Sequence, residues 1–419
     1  MAVAGYTDGI KISNEKLNLQ SIRYAILHLS HTDVRVDARI LKEVAALQED
    51  EALHQIVIGI DRPEGAAFGE SDLRAELIAL RLRARELRRI AWIPGIVRNA
   101  IGLAEATVRM FWLVLRHRPR VVHCHDVVFL HVGALAKLFI GARVVYDAHE
   151  LESGRNGDSK ALSTCVYAVE RILWPLVDRL VSVSPSIIDW YAERLGAKPS
   201  ILVLNSPSLR PVSSDRAPSL SRYFHNLYSL DDDDLVFVYL GVFCQGRGIP
   251  AFASAVVESS QRIHFVMVGF GELLDVHSWS RLCPRIHVHA AVPHERVVEL
   301  VRSADFGVCL IEDVSLSDRL CLPNKLFEYA FAGLPVLASR LPEIERVVRE
   351  YGLGVCCDND VESIRQAVEA IERDGISPST ADLTELSWER QAERLRGAYR
   401  QLLDRQNGTT RNQPKAGER

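Results

Sequence analysis

The chain lacks the marks of a secreted, membrane-spanning or metal-stapled protein. Its eight cysteines (124, 165, 244, 283, 309, 321, 356 and 357) are scattered, and no two form a C-x-x-C pair. A disulfide scaffold or structural zinc site is therefore not expected, and a reducing, cytoplasmic compartment is. No apolar run reaches the ~18–20 residues of a spanning helix. The best candidate, 127–142, is interrupted by His131 and Lys137. Residues 1–20 are polar, without the apolar core of a signal peptide, and read as a disordered tail. Charge of one sign is also missing. Fifty Lys and Arg against 54 Asp and Glu give −4, too balanced for a nucleic-acid-coating chain. The longest acidic run, Asp231 to Asp234, lacks the alternating spacing of a calcium loop and reads as a solvated turn.

What is present is the composition of a globular protein. With 48% hydrophobic residues, 25 Gly and 17 Pro, collagen-like and wholly disordered classes fall away. Its 419 residues exceed one ordinary core, and ~150 residues per domain predicts two or three domains. Short apolar β-rich runs alternate with helical periodicity: strands at 23–30, 55–59, 120–125, 143–147, 180–184 and 200–204, with helices between them. That is the pattern of a parallel α/β sheet. Texture changes after Asn205, where Ser and Pro cluster. A second alternating series starts at Leu235 and runs to a helix at 360–373. The expected organisation is a first α/β domain over 21–205, a linker over 206–234 and a second α/β domain over 235–386. A late helix over 387–403 and a disordered tail over 404–419 follow. Open parallel sheets bind ligands at the carboxyl ends of their strands, so the cleft between two such domains is the expected site.

One segment breaks the charge balance. From Arg74 to Arg120 there are eleven Arg, no Lys and three acids, a net +8 that leaves −12 for the remainder. Trp92, Phe111 and Trp112 lie among them. Basic and aromatic residues on amphipathic helices suit an anionic bilayer surface. An Arg-rich solvated helix is the plainer reading, and nucleic acid is disfavoured because no recognition motif accompanies the charge.

The densest chemical signal is Leu322-Pro-Asn-Lys-Leu-Phe-Glu-Tyr-Ala-Phe-Ala-Gly-Leu-Pro-Val-Leu-Ala-Ser339. Pro323 predicts a helix start and Gly333 its end. A helix N-terminus presents free N–H groups and a positive dipole end, a seat for a diphosphate. Glu328, one turn further in, is placed to accept paired hydrogen bonds from a ribose diol.

This stretch resembles the signature of family 4 retaining glycosyltransferases, which have two facing Rossmann-like domains, the GT-B fold. Tyr239-Leu-Gly241 followed by Gly246-Arg-Gly248, Val268-Gly-Phe-Gly-Glu272, and Ala304-Asp305 before Gly307-Val308 resemble other parts of the family pattern. In the first half, His123-Cys-His125-Asp126 and Tyr146-Asp-Ala-His149-Glu150 are similar to a subgroup carrying "H-D" and "Y-D-A-H-E" motifs. Ser387-Trp388-Glu389 resembles the helix that crosses back to the first domain. The likeness extends over nearly all of 23–403. Departures are Leu320, where a Glu often precedes Glu328 by eight residues, Val242, where Arg is common, and Arg247, where Lys is commoner. His28-Leu-Ser-His-Thr-Asp33 replaces a Gly-rich loop.

The resemblance implies transfer of a hexosyl group from a nucleotide-diphosphate sugar to an acceptor hydroxyl, in cell-surface polysaccharide or glycolipid synthesis. His125, Arg247 and Glu328 are the expected catalytic residues. Gly241, Arg247, Gly269, Gly271, Pro323, Asn324, Lys325 and Glu328 are the expected donor site. His31, Asp126, His149 and Glu150 are the acceptor-side candidates, and Asp126 also reads as a cap for the helix that follows it. No metal or other cofactor is expected. The partners expected are a nucleotide sugar, a saccharide or lipid-linked acceptor, and an anionic membrane surface contacted through 74–120. A non-catalytic scaffold subunit and a nucleotide-sugar epimerase are the alternatives. Gly269-Phe-Gly271 falls short of G-x-G-x-x-G, which disfavours a nicotinamide dehydrogenase.

Overall fold

The computed structural model describes residues 24–62, 73–84, 94–209, 222–271 and 276–410. The expected tail at 1–20, residues 85–93 of the Arg-rich stretch with Trp92, part of the linker, and 411–419 lie outside them. Two parallel sheets carry the architecture, as the alternation predicts. The first joins β1 (Tyr24–Leu29), β2 (Leu53–Ile60), β3 (Ala75–Leu80), β4 (Val121–His125), β5 (Arg143–Ala148), β6 (Arg179–Ser182) and β7 (Ser200–Leu202). Their spatial order is β3-β2-β1-β4-β5-β6-β7. The second joins β8 (Leu235–Val242), β9 (Ile263–Phe270), β10 (Ile286–Ala290), β11 (Phe306–Cys309), β12 (Val336–Ser339) and β13 (Gly354–Cys357). Its order is β10-β9-β8-β11-β12-β13.

Each sheet is covered on both faces, which is why its strands read as unbroken apolar runs. Successive side chains point to opposite faces. Val122, Cys124, Val144 and Tyr146 enter one core of the first sheet. Val121, Val145 and Val181 enter the other, where Leu395, Tyr399 and Leu402 of the final helix, Trp388–Thr410, cover them. That helix follows the second sheet in sequence but packs on the first. Ser387 caps its start by accepting from Arg390 N at 3.3 Å.

The sequence pattern missed several elements, among them helices Val276–Leu282, Leu316–Leu320 and Pro342–Glu350 and the strand β13, and two of the misses have a clear cause. β3 (Ala-Glu-Leu-Ile-Ala-Leu) is built of good helix formers, yet pairs with β2 in register Gln55↔Ala75 through Ile60↔Leu80. It is an edge strand with only Leu80 buried, so no strong β signal was required of it. Tyr223–Tyr228, inside the expected linker, is a short helix that buries Phe224. The four acids close a turn: Asp231 N donates to Asp234 Oδ2 at 2.8 Å.

Both switch points, β1/β4 and β8/β11, present their strand carboxyl ends to one cleft. The lobes touch beside it. Ser184, the N-cap of helix Pro185–Leu195, donates from Oγ to Leu320 O at 2.6 Å. Ser186 donates to Glu343 Oε1 at 2.5 Å from its hydroxyl and 3.1 Å from its amide.

Candidate active site

The cleft has a volume of about 500 Å³ and is lined from both lobes. Its second-lobe wall is the start of helix Asn324–Ala332. Pro323 is the N-cap, and no side chain caps the first turn, where Leu326 N turns back to Pro323 O at 3.1 Å and the start of the helix faces the cleft as a seat for an anion. Gly333 ends the helix at φ 76°. Lys325 is buried with Nζ 3.7 Å from the Tyr239 ring centroid and without a hydrogen-bond partner. Burial pulls its pKa down to about 8. Glu328, one turn on, is also buried, and burial raises its pKa against the pull of Lys42 and Lys325. Arg247 sits in a turn between Gly246 (φ 87°) and Gly248 (φ 64°) and lines the same wall. The floor is the close crossing of two strand ends. A Cβ on Gly269 would stand 1.9 Å from Gly241 O, so only glycine lets β8 and β9 meet there.

The first-lobe wall is a chain of histidines in hydrogen-bond contact with one another. Gln55 donates Nε2 to Val44 O at 2.9 Å, which turns Oε1 toward His28 Nε2 at 3.2 Å. His28 Nε2 must therefore donate. Burial beside two other imidazoles pulls the pKa of His28 well down, and its Nδ1 lies 3.1 Å from His125 Nε2. Burial lowers the pKa of His125 as well, against the pull of Asp147, whose Oδ2 lies 3.2 Å from His125 Nδ1. His149 Nε2 stands 3.3 Å from that same His125 nitrogen and 2.9 Å from Asp147 Oδ2, to which it donates. Burial lowers the pKa of His149, but Asp147 and Asp126 outweigh it and hold it up at about 9. The result is an imidazolium on the cleft wall, backed by a neutral histidine.

The sequence-predicted residues divide accordingly. Arg247, Gly241, Gly269, Pro323, Asn324, Lys325, Glu328, His149 and Glu150 line the cleft. His125 does not: it is fully buried behind His149. Gly271 packs against the Phe243 backbone, where a Cβ would meet Phe243 O at 2.5 Å. His31 stands outside the cleft lining, with Nδ1 3.5 Å from Asp126 Oδ2. Asp126 does not cap the following turn, which has no side-chain cap bond. At φ 62° its carboxylate is directed instead to His31 and, at 3.5 Å, to His149 Nδ1. Glu150 accepts from Arg155 Nε at 2.7 Å and from Ser317 Oγ of the other lobe at 3.2 Å.

Asp318 was not anticipated. It lines the cleft 3.5 Å from Arg247 Nη1, while Leu320 packs into the first-lobe core. Ser315 caps their short helix by accepting from Asp318 N at 3.0 Å, the one local signal that could have located it. Lys42 also escaped notice. It reaches the connector to donate to Ser206 O at 3.3 Å and biases Glu328 electrostatically across the lobes.

Among the described residues, Glu43, His123, His125 and Asp147 offer ligand atoms all within 4.8 Å of one another, a spacing that suits a metal ion. All four are fully buried beneath the histidine wall and do not line the cleft. Positive charge is already supplied there, since Arg39 Nη2 lies 2.9 Å from Asp147 Oδ1 and 3.1 Å from Glu43 Oε1. His123 Nδ1 is fixed by Tyr399 Oη of the final helix at 2.6 Å.

Residues 49–205 match Glycosyltransferase Family 4, and residues 234–374 match the glycosyl transferases group 1 family. No curated protein sequence matches the chain. Solved structures share the fold along almost the whole length. Sucrose-phosphate synthase from Thermosynechococcus elongatus is 16% identical with a TM-score of 0.65, covering 93% of this chain and 98% of its own. HepE from Anabaena in complex with UDP-glucose is 12% identical with a TM-score of 0.61, covering 92% and 99%. A protein assigned as a UDP-N-acetylglucosamine 2-epimerase from Listeria monocytogenes is 15% identical with a TM-score of 0.58, covering 91% and 97%.

Proposed function

We propose, on the premise that this chain is a glycosyltransferase of the family 4 kind on a GT-B fold, that it moves a hexosyl group from a nucleotide-diphosphate sugar to an acceptor hydroxyl with retention at the anomeric carbon. The observation that carries the reading is the uncapped start of helix Asn324–Ala332, with Lys325, Glu328 and Arg247 around it in one cleft. The first-turn amides, Lys325 and Arg247 receive the diphosphate. Negative charge grows on that group as the glycosidic bond breaks, so positive groups already in place lower the barrier most there. Glu328 accepts from the ribose hydroxyls. Asp318, two positions before Leu320, takes a hydroxyl of the donor sugar.

On the facing wall His149 meets the sugar. As an imidazolium whose Nε2–H is committed to Asp147 and whose Nδ1 faces Asp126, it brings its positive charge to the hexosyl–diphosphate end of the donor. His125 is a positioning residue in this scheme, because it is buried behind His149 and contacts both His149 and the Asp147 carboxylate that holds it. The leaving phosphate oxygen takes the acceptor proton. The acceptor is a saccharide carried on a lipid at the cytoplasmic side of a membrane, of the kind used for surface polysaccharide or glycolipid. The positive charge the diphosphate requires comes from protein groups, so the reaction is expected to run without an added metal.

Thermal-shift measurements against UDP, GDP, dTDP and ADP, followed by the sugars of whichever binds, test the donor site. No shift with any of them removes the reading. HepE was solved with UDP-glucose, which makes UDP sugars the first to try. Epimerisation of the nucleotide sugar is the second reading, favoured by the Listeria neighbour. NMR of the products without acceptor separates the two, since epimerisation proceeds alone and transfer does not.

A further inference from the structure

Three neighbouring helices on the outside of the first sheet turn apolar faces to solvent. Helix Gly95–His117 buries only Ala106, Met110 and Val114. Its opposite side carries Ile101, Val108, Trp112 and Leu115, exposed at helical spacing, with Val108 68% and Trp112 55% accessible. Helix Lys160–Leu173 buries only Glu170 and exposes Leu162, Val169 and Ile172, the last 73% accessible. Between them, helix Leu130–Ile140 ends in exposed Leu138 and Phe139, and the Phe139 ring meets Phe111 of the first helix edge-on at 5.5 Å. An amphipathic surface helix ordinarily hides its apolar stripe. Here apolar stripes remain outside on adjacent helices, an area that marks an interaction site.

The charges say what covers it. These helices carry six basic residues, of which Lys137 is held by Asp178 at 2.8 Å and Arg109 by Glu105 at 3.3 Å, while Arg98, Arg116, Lys160 and Arg171 make up the rest. Their two acids are already engaged. Glu105 accepts from Arg83 N, Ala84 N and Arg109. Glu170 is buried under Tyr146 and Tyr191, accepting from both. Arg116 lies 5.3 Å over the Trp112 ring, so an apolar body and a cation share one position on the face. A second copy of the same basic face, brought against it by a two-fold axis, would meet like charge. A surface offering apolar depth and negative headgroups meets both features.

We infer that this three-helix face docks the first lobe on an anionic lipid bilayer, with Val108, Trp112, Phe139 and Ile172 entering the headgroup–acyl boundary and Arg98, Arg116, Lys160 and Arg171 meeting the lipid phosphates. The face extends the membrane contact expected over 74–120 to helices whose sequences carry no such signal. It accords with a lipid-linked acceptor, but the test reads binding alone, so failure of the transfer reaction and failure of docking are separable.

The experiment is co-sedimentation of the full chain with vesicles of phosphatidylcholine alone and of phosphatidylcholine mixed with phosphatidylglycerol. The expected result is binding to the anionic vesicles that weakens as salt is raised. The double substitution Trp112→Glu, Ile172→Glu is expected to reduce that binding at least about tenfold, as two apolar insertions are lost. Both positions are exposed, so melting temperature and nucleotide affinity should stay at wild-type values. Absence of binding at low salt overturns the inference, as does equal binding by the variant or by neutral vesicles. A dimer that the double variant dissolves, in a protein that ignores vesicles, assigns the face to a second copy and overturns it as well.

Discussion

Lys325 should make donor binding depend on a proton. Its amine is buried against Tyr239 with no acceptor, and its pKa lies near 8 before ligand arrives. A diphosphate beside it favours the charged form, so the bound state holds the proton to much higher pH. With a free-state pKa of about 8, the amine is about nine-tenths charged at pH 7 and about one-tenth at pH 9. Between those values the dissociation constant of a nucleotide sugar should rise about tenfold, ~1.4 kcal/mol. The share of proton uptake on binding that comes from Lys325 should be roughly a tenth at pH 7, a half at pH 8 and nine-tenths at pH 9, with His149 adding to it near pH 9. Isothermal titration calorimetry in buffers of different ionisation enthalpy measures that uptake directly. A nucleotide sugar is the correct ligand, because its diphosphate is fully esterified at both ends and does not titrate in this range. Lys325→Met should bind more weakly at pH 7 and lose the step centred at pH 8, keeping only the change that His149 makes near pH 9, with its melting temperature reporting that the fold is intact. Binding by the wild type with no proton uptake at pH 8 would refute the reasoning, since it would mean that the amine is not beside the phosphates.

Glu328→Ala should weaken nucleotide binding by ~1.5–3 kcal/mol, the range for hydrogen bonds to a charged group, and calorimetry with the free nucleotide checks it. His149 titrates high in the fold, near 9 against 6.5 unfolded, so its stabilisation is complete below pH 6.5 and disappears as pH rises through 9. Urea unfolding should show a loss of about 3 kcal/mol over that window, and His149→Gln should remove this part of the slope. Gly269→Ala drives a methyl into Gly241 O and should cost at least about 2 kcal/mol, or folding itself. Gly397→Ala, in the final helix with nothing within 4 Å of its new methyl, should instead stabilise by about 0.5–1 kcal/mol in the same assay.

The two-sheet plan was open to reading because sheets covered on both faces demand apolar strands, and helices between parallel strands demand a different period. The donor wall was open too, since a proline before a helix, a lysine and a glutamate one turn apart act through local geometry. β3 escaped because an edge strand with one buried residue needs no β-branched run. Asp318 escaped because the position at which it enters the cleft depends on a turn packed against the other lobe.

The histidines show the division most clearly. Order along the chain placed His125 and His149 at the ends of adjacent strands and brought both to the cleft side of the first lobe. Which one lines the cleft was decided by packing, in which His28 and Gln55 from two other strands cover His125 while Asp147 contacts both rings. Hydrogen-bond direction passes from one ring to the next only when the rings are in contact. Periodicity and motif spacing are local quantities and survive in the one-dimensional sequence. Proton positions, interlobe contacts and the side of a helix left uncovered are properties of packing between distant segments, and they come into being only when the chain has folded.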